Sequence, residues 1–171
     1  MTGAAPGPRR SRSGRGPAAL GWIVAVLMVA LDQVSKLWAV AHLPAGQVQA
    51  LWPGLLQLRL VRNTGAAFSL FTGSTRPLAV VSLVVAIAVA MLLVRRPPTK
   101  LLPALALGFL LGGAVGNGID RWRLGAVIDF LEFVPVSFPV FNVADVAINL
   151  AVLCFALDTL AGLRREGTHD A

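Results

Sequence analysis

The 171-residue sequence has no tyrosine, one cysteine and two histidines, and only 13% of its residues carry charge. Each shortage removes a class of answer. Cys154 stands alone in an apolar run, so it forms no internal disulfide and has no partners for a cysteine metal site. It also has no nearby histidine to activate it as a nucleophile. His42 and His169 do not make the His-Glu-x-x-His pattern of a zinc peptidase, and no Gly-x-Ser-x-Gly elbow occurs. Ser35 adjoins Lys36, but adjacent helical side chains point in different directions, which argues against a Ser/Lys dyad. No solenoid-type repeat is present. Charge this sparse, beside 56% hydrophobic residues, excludes an ordinary soluble domain and points to a membrane protein.

What charge there is has a pattern. The net charge is +7, which would suit nucleic acid if it formed an exposed patch or a binding motif. Here the basic residues fall between apolar runs, a topology signal, and no nucleic-acid partner is expected. Residues 1–17 are rich in Gly, Pro, Ser and Arg and read as a disordered basic cytoplasmic tail. Four apolar segments follow, over about 18–43, 77–94, 101–115 and 143–163, each near the length a bilayer requires. Residues 18–163 therefore read as a single four-helix membrane domain, and 164–171 as a cytoplasmic C-terminal tail. The first segment also fits a cleavable signal peptide ending at Ala39-Val40-Ala41. Against that, its core holds Asp32 and Lys36, and three more apolar segments follow. Nine basic residues (Arg9, Arg10, Arg12, Arg15, Arg95, Arg96, Lys100, Arg164, Arg165) lie on one side of these spans and five (Arg59, Arg62, Arg76, Arg121, Arg123) on the other. Both termini are then cytoplasmic, and 44–76 and 117–142 face outward. Trp22, Trp38, Trp52 and Trp122 fall near span ends, where indoles collect.

Within the outer segments, Leu55–Arg62 alternates as a strand, with Gln57, Arg59 and Val61 to one side. Asn63-Thr64-Gly65 favours a tight turn, in an ordinary or a functional loop. Gly108, Gly112, Gly113 and Gly116 suit close helix contact in lipid. Asp32 and Lys36, spaced i,i+4, share a helix face and can pair, either as a solvated pair at the interface or to position substrate or loop.

The window from Gly112 to Asn149 holds Asn117, Asp120, Arg121, Asp129, Asn142 and Asp145. Carboxylates at a membrane are costly and mark functional sites. Asp129 lies among β-branched and aromatic residues, on a short extended segment. Asp145 follows Asn142 by three residues, the spacing of a capping box; a helix cap and a catalytic acid are both open readings. Two acids held close cannot both ionise, so one keeps a proton while the other acts as base toward water. That is aspartic-peptidase logic.

Several segments carry a resemblance: Asp32-Gln33-Val34-Ser35-Lys36, Val61-Arg62-Asn63-Thr64-Gly65-Ala66-Ala67-Phe68-Ser69, Gly112 to Arg121, Val127-Ile128-Asp129-Phe130, and Phe141-Asn142-Val143-Ala144-Asp145. In this order they resemble the bacterial lipoprotein signal peptidase family, signal peptidase II, from about Leu20 to Leu163. Gly118 and Leu131-Glu132 depart slightly from its pattern and do not touch the acids. The resemblance implies an all-α fold of four transmembrane helices with a small extracytoplasmic β-cradle and a short periplasmic helix. It implies a membrane aspartic endopeptidase that removes signal peptides from diacylglyceryl-modified prolipoproteins, cutting just before the lipidated cysteine. Asp129 and Asp145 match the catalytic pair. Asn63, Asn117, Arg121 and Asn142 match residues that position substrate or support the acids. Asp32 and Lys36 match the first-helix pair, and Asp120 the Asp-Arg pair. No metal or organic cofactor is implied. The implied partners are the prolipoprotein, membrane lipid and a globomycin-like inhibitor, and the chain is expected to act as a monomer in the bacterial cell membrane, with its site near the outer face.

The alternative is a small transporter or channel subunit whose acids pass protons or cations, which would want titratable groups along the depth of the bundle. The topology has its own test. A reporter fused after Arg165 is expected to read as cytoplasmic, and an extracytoplasmic signal there refutes the four-span count.

Overall fold

The computed structural model describes residues 15–65 and 75–167. The basic tail as far as residue 14, the Ala66-Ala67-Phe68-Ser69 end of the turn motif and the last four residues lie outside the described residues. The elements in chain order are α1 (Arg15–His42), β1 (Val48–Trp52), β2 (Leu56–Asn63), α2 (Thr75–Arg95), α3 (Leu101–Leu124), β3 (Val127–Phe133) and α4 (Val143–Gly167). All four helices are long and apolar enough to cross a membrane. The short helix implied by the resemblance is not among the described residues.

The bundle is built around α3. Over half of its apolar window is buried, 56% against 17% for each of the other three, and it packs along α1, α4 and α2. Its glycines explain how. Lipid supplies no hydrophobic drive between helices, so close backbone approach has to supply contact instead. Gly108, Gly112 and Gly116 face α1, and Gly113 faces α4. A Cβ on Gly116 would stand 2.6 Å from Asp32 Oδ2. The outward faces of α1, α2 and α4 carry large exposed apolar side chains such as Val26, Leu37, Val84 and Val152, which suits contact with acyl chains.

The expected third span corrects here. It does not stop at Val115 but continues as helix to Leu124, carrying Asn117, Asp120 and Arg121. Asn117 and Asp120, which suggested an outer loop, are buried with partners and Arg121 is half-buried, so a helix can hold all three. The stop comes at Gly125, whose φ of 68° is the left-handed conformation that ends helices most readily at glycine.

At the end of the bundle shared by the α1 C-terminus and the α4 N-terminus sits an antiparallel sheet of order β1-β2-β3. Ala39 of α1 and Leu43 just past its end cluster with Leu58 and Phe130 and seat the sheet on the helix. β1 was not legible in the sequence; its five residues are all exposed, so burial imposes no alternation on them. β2 was expected, but its facing needs correction. Leu58 pairs with Leu131 and Val61 with Asp129, so β2 advances three residues while β3 advances two. This bulge places Val61 on the same face as Leu58, not on that of Gln57. Gln57 and Arg59 do share a partner, Glu132, at 2.8 and 2.9 Å.

Gly116→Ala is expected to destabilise the bundle by about 1–3 kcal/mol, because its methyl group meets a buried carboxylate in a close-packed contact. Thermal unfolding in detergent checks this; an unchanged midpoint overturns the account of α1–α3 packing.

Candidate functional site

The site is founded on a buried cation. Lys36 is 3% exposed and Asp32 is fully buried. The Lys36 ammonium lies 2.9 Å from Asp32 Oδ2, 2.9 Å from Asp120 Oδ2 and 3.0 Å from Asn117 Oδ1. An ammonium has three donors and no acceptor, so all of its hydrogens are used. The reading of Asp32–Lys36 as a solvated surface pair is thereby excluded. Asp120 turns to Lys36 and does not pair with Arg121.

Each carboxylate of this group also holds a second element. Asp32 Oδ1 accepts from Ala144 N–H at 2.9 Å, which caps α4 from α1. Asp120 Oδ2 accepts from Ile128 N–H at 3.1 Å, which fixes the start of β3. The Gln33 side-chain amide donates to Asp32, Asp120 and the Gly116 carbonyl. Sequence reasoning did not single out Gln33, although it lies inside the first quoted motif.

The second layer is a pair of asparagines. Asn117 donates from Nδ2 to Asp145 Oδ1 at 2.8 Å. Asn142, fully buried, donates from Nδ2 to Asp129 Oδ1 at 2.6 Å and to Asn117 Oδ1 at 3.0 Å. Asn142 and Asp145 form the capping box read from their spacing. Asp145 N–H donates to Asn142 Oδ1 at 3.0 Å, and Asn142 N–H to Asp145 Oδ2 at 3.1 Å. Asn142 therefore touches both acids, one through its side chain and the other through its backbone.

Asn63 completes the group. It donates to Asp129 Oδ2 at 2.9 Å, while its own carbonyl accepts from Gly65 N–H. The bulge in β2 makes this possible: Asn63 pairs with Val127 and Val61 with Asp129, which puts Asn63 on the Asp129 face. Arg121 donates to Ser82 Oγ at 3.3 Å, and Asp145, Asp129 and Asp120 lie within its electrostatic reach. Ser82, the only polar side chain of the second apolar segment, was visible in the sequence but not assigned.

Asn63, Asn117, Arg121, Asp129 and Asp145 line one cavity of about 560 Å³. Asn142 lies beneath it, and Asp32, Lys36 and Asp120 lie behind. The rest of the wall is apolar: Phe133, Phe138 and Phe141 in mutual ring contact, and Val146, Leu150 and Leu153 along α4. Burial raises the Asp129 carboxyl to about 6, against the ordinary carboxylate range. The hydrogen bond from Asn63 opposes that rise, the nearby charge of Asp145 adds to it, and the hydrogen bond from Asn142 opposes it again. A carboxyl poised near neutrality inside a cavity is suited to acid–base work.

The family model described as signal peptidase (SPase) II matches residues 24–161. The lipoprotein signal peptidase of Parasynechococcus marenigrum (strain WH8102) is 54% identical over 135 residues, 79% of this chain and 85% of the relative. That of Gloeobacter violaceus (strain ATCC 29082 / PCC 7421) is 48% identical over 139 residues, 81% and 80% respectively. A solved bacterial membrane enzyme, determined by the in meso method at 2.3 Å resolution, is 28% identical. It superposes with a TM-score of 0.78 over 84% of this chain and 88% of that one.

The raised Asp129 carboxyl predicts a stability change with a definite sign. An acid whose folded value lies above its unfolded one favours the fold while protonated, and loses that contribution as pH rises through about 6. Relative to wild type, Asp129→Asn should therefore gain stability between pH 4 and pH 7.5, by about 3 kcal/mol at most. Unfolding midpoints of the two proteins across that range check this; a constant difference contradicts it.

Proposed function

The chain belongs to the signal peptidase II family, and on that premise we propose that it is a membrane aspartic endopeptidase removing signal peptides from diacylglyceryl-modified prolipoproteins. The observation that carries this reading is the bridge through Asn142, which holds Asp129 at 2.6 Å and Asp145 at 3.1 Å on the wall of one cavity. Of two such acids, one keeps a proton and the other is ionised. The ionised carboxylate takes a proton from a water whose oxygen attacks the scissile carbonyl carbon. The protonated acid donates to the carbonyl oxygen, giving a tetrahedral diol. Collapse breaks the C–N bond, and a proton passes from the acid pair to the departing amine. Arg121 and Asn63 stand at the rim to hold the substrate backbone.

The apolar part of the cavity gives a reason for a lipidated substrate. Val146, Leu150 and Leu153 recur at helical spacing on one side of α4 and lead away from Asp145 along an exposed face of that helix. A diacylglyceryl chain lying there keeps the cysteine beside the acids, so that the cut falls just before it. Each buried methylene contributes about 0.8 kcal/mol, and substrate arrives already concentrated in the bilayer. A globomycin-like inhibitor would fill the same cavity. The chain is taken to act as a monomer. The basic-residue count supports cytoplasmic termini and a site near the outer face of the cell membrane.

The transporter reading finds less support. Among the described residues, most carboxylates of the helices, Asp32, Asp120 and Asp145, lie at the sheet end. The exceptions lie at the opposite end, where Lys100 pairs with Asp158 at 3.7 Å. A proton path would want groups between the two.

Purified protein with a diacylated prolipoprotein is expected to release the signal peptide. Asp129→Asn and Asp145→Asn should each lower turnover about a thousandfold or more. Near-normal turnover in either variant sinks the acid-pair mechanism.

A further inference from the structure

The two acids are not held alike, and the difference traces to Lys36, which lines no part of the cavity. Asn117 has a carbonyl and an amino end, and a half-turn of its amide would exchange them. Lys36 forbids that exchange. Its ammonium, 3.0 Å from Asn117 Oδ1, has nothing but hydrogens to offer. The Asn142 amino group, also 3.0 Å from Oδ1, makes the same demand. The amino end of Asn117 is thereby turned onto Asp145 Oδ1 at 2.8 Å. The other oxygen of Asp145 receives the Asn142 backbone N–H at 3.1 Å, at the positive end of α4. Both Asp145 oxygens thus face committed donors.

Asp129 stands on a strand without such a dipole and is only 2% exposed. One of its donors is divided: Asn142 Nδ2 serves Asn117 Oδ1, the Ile128 carbonyl and Asp129 together. Resting on the aspartic-peptidase reading, we propose that Lys36 is a positioning residue for the reaction. Through the Asn117 amide it makes Asp145 the ionised, water-activating member of the pair and leaves the proton on Asp129. The charged groups that face Asp145 are Lys36 and Asp32 from α1, Arg121 from α3, and Asp129 from β3. Lys36 reaches Asp145 through a single intervening side chain, Asn117.

Three variants of the full chain test this, assayed against a diacylglyceryl lipopeptide across pH. Asn117→Leu removes the donor to Asp145 and leaves Lys36 between its two carboxylates. The pair Lys36→Met with Asp120→Asn removes the cation while keeping the charge of the group unchanged. The triple variant combines them. In the first two, the acid limb of the rate profile should move up by about one pH unit. At neutral pH kcat should fall about tenfold, while KM changes less than twofold. The triple variant should add nothing further, because Lys36 acts through Asn117. Additive shifts, an unmoved acid limb, or a loss confined to KM overturn the proposal. Should the Lys36 pair fail to fold, Asn117→Leu decides alone: the limb has to move. An inactive wild type, or one whose rate is flat with pH, overturns the peptidase reading itself. An active wild type with a bell-shaped profile and an unmoved Asn117→Leu limb overturns only the role of Lys36.

Discussion

A single ammonium group holds this molecule together at its working end. Lys36 is removed from water, which is costly for any ion, and the cost is offset only because two carboxylates and an amide carbonyl meet all of its hydrogens. Losing one member of such a group leaves a bare buried charge, worth about 3–5 kcal/mol against folding. The group is also a joint. Asp32 reaches from α1 to the first turn of α4, and Asp120 from α3 to the first residues of β3. The two elements that present Asp145 and Asp129 are thus tied to the same cation, and their relative placement does not depend on loops.

The capping box at α4 shows why structural and chemical roles need not compete. Asn142 and Asp145 satisfy the backbone N–H groups that a helix start leaves unpaired. The same geometry aims one carboxylate into the cavity and lets the Asn142 amide reach the other. A residue that both starts a helix and bridges two acids has little freedom to be anything but asparagine. Its side-chain oxygen must accept while its nitrogen donates, and aspartate cannot do both when ionised.

Much of this was legible beforehand. Four spans follow from hydropathy, and the acids stand out because charge is rare in so apolar a chain. The Asn142–Asp145 cap follows from a three-residue spacing, and the Asp32–Lys36 pair from a four-residue one. What stayed hidden was whatever depends on distant partners. Asp120 sits 84 positions from the lysine it meets, and next to an arginine that looked the better partner. The last turns of α3 resembled a loop because polar residues and glycines usually break helices; here they are the helix face that α1 and α4 require. β1, wholly exposed, had no burial to impress a period on it. The bulge in β2 left no mark, since an alternating sequence cannot announce where its register slips.

That slip carries a rule for how the sequence can drift. Between Leu58 and Val61 the strand spends one residue more than its partner, and Asn63 faces the acid only because of it. The side chains at 59 and 60 have partners of their own, Arg59 in Glu132 and Leu60 in the cluster of Leu58 and Phe130, but what they give Asn63 is only length. Removing one of the two would leave a regular ladder with Asn63 still opposite Val127, whereas flattening the bulge with both kept would turn Asn63 to the far side of the sheet. This stretch therefore tolerates the loss of one residue better than a regular pairing at its present length.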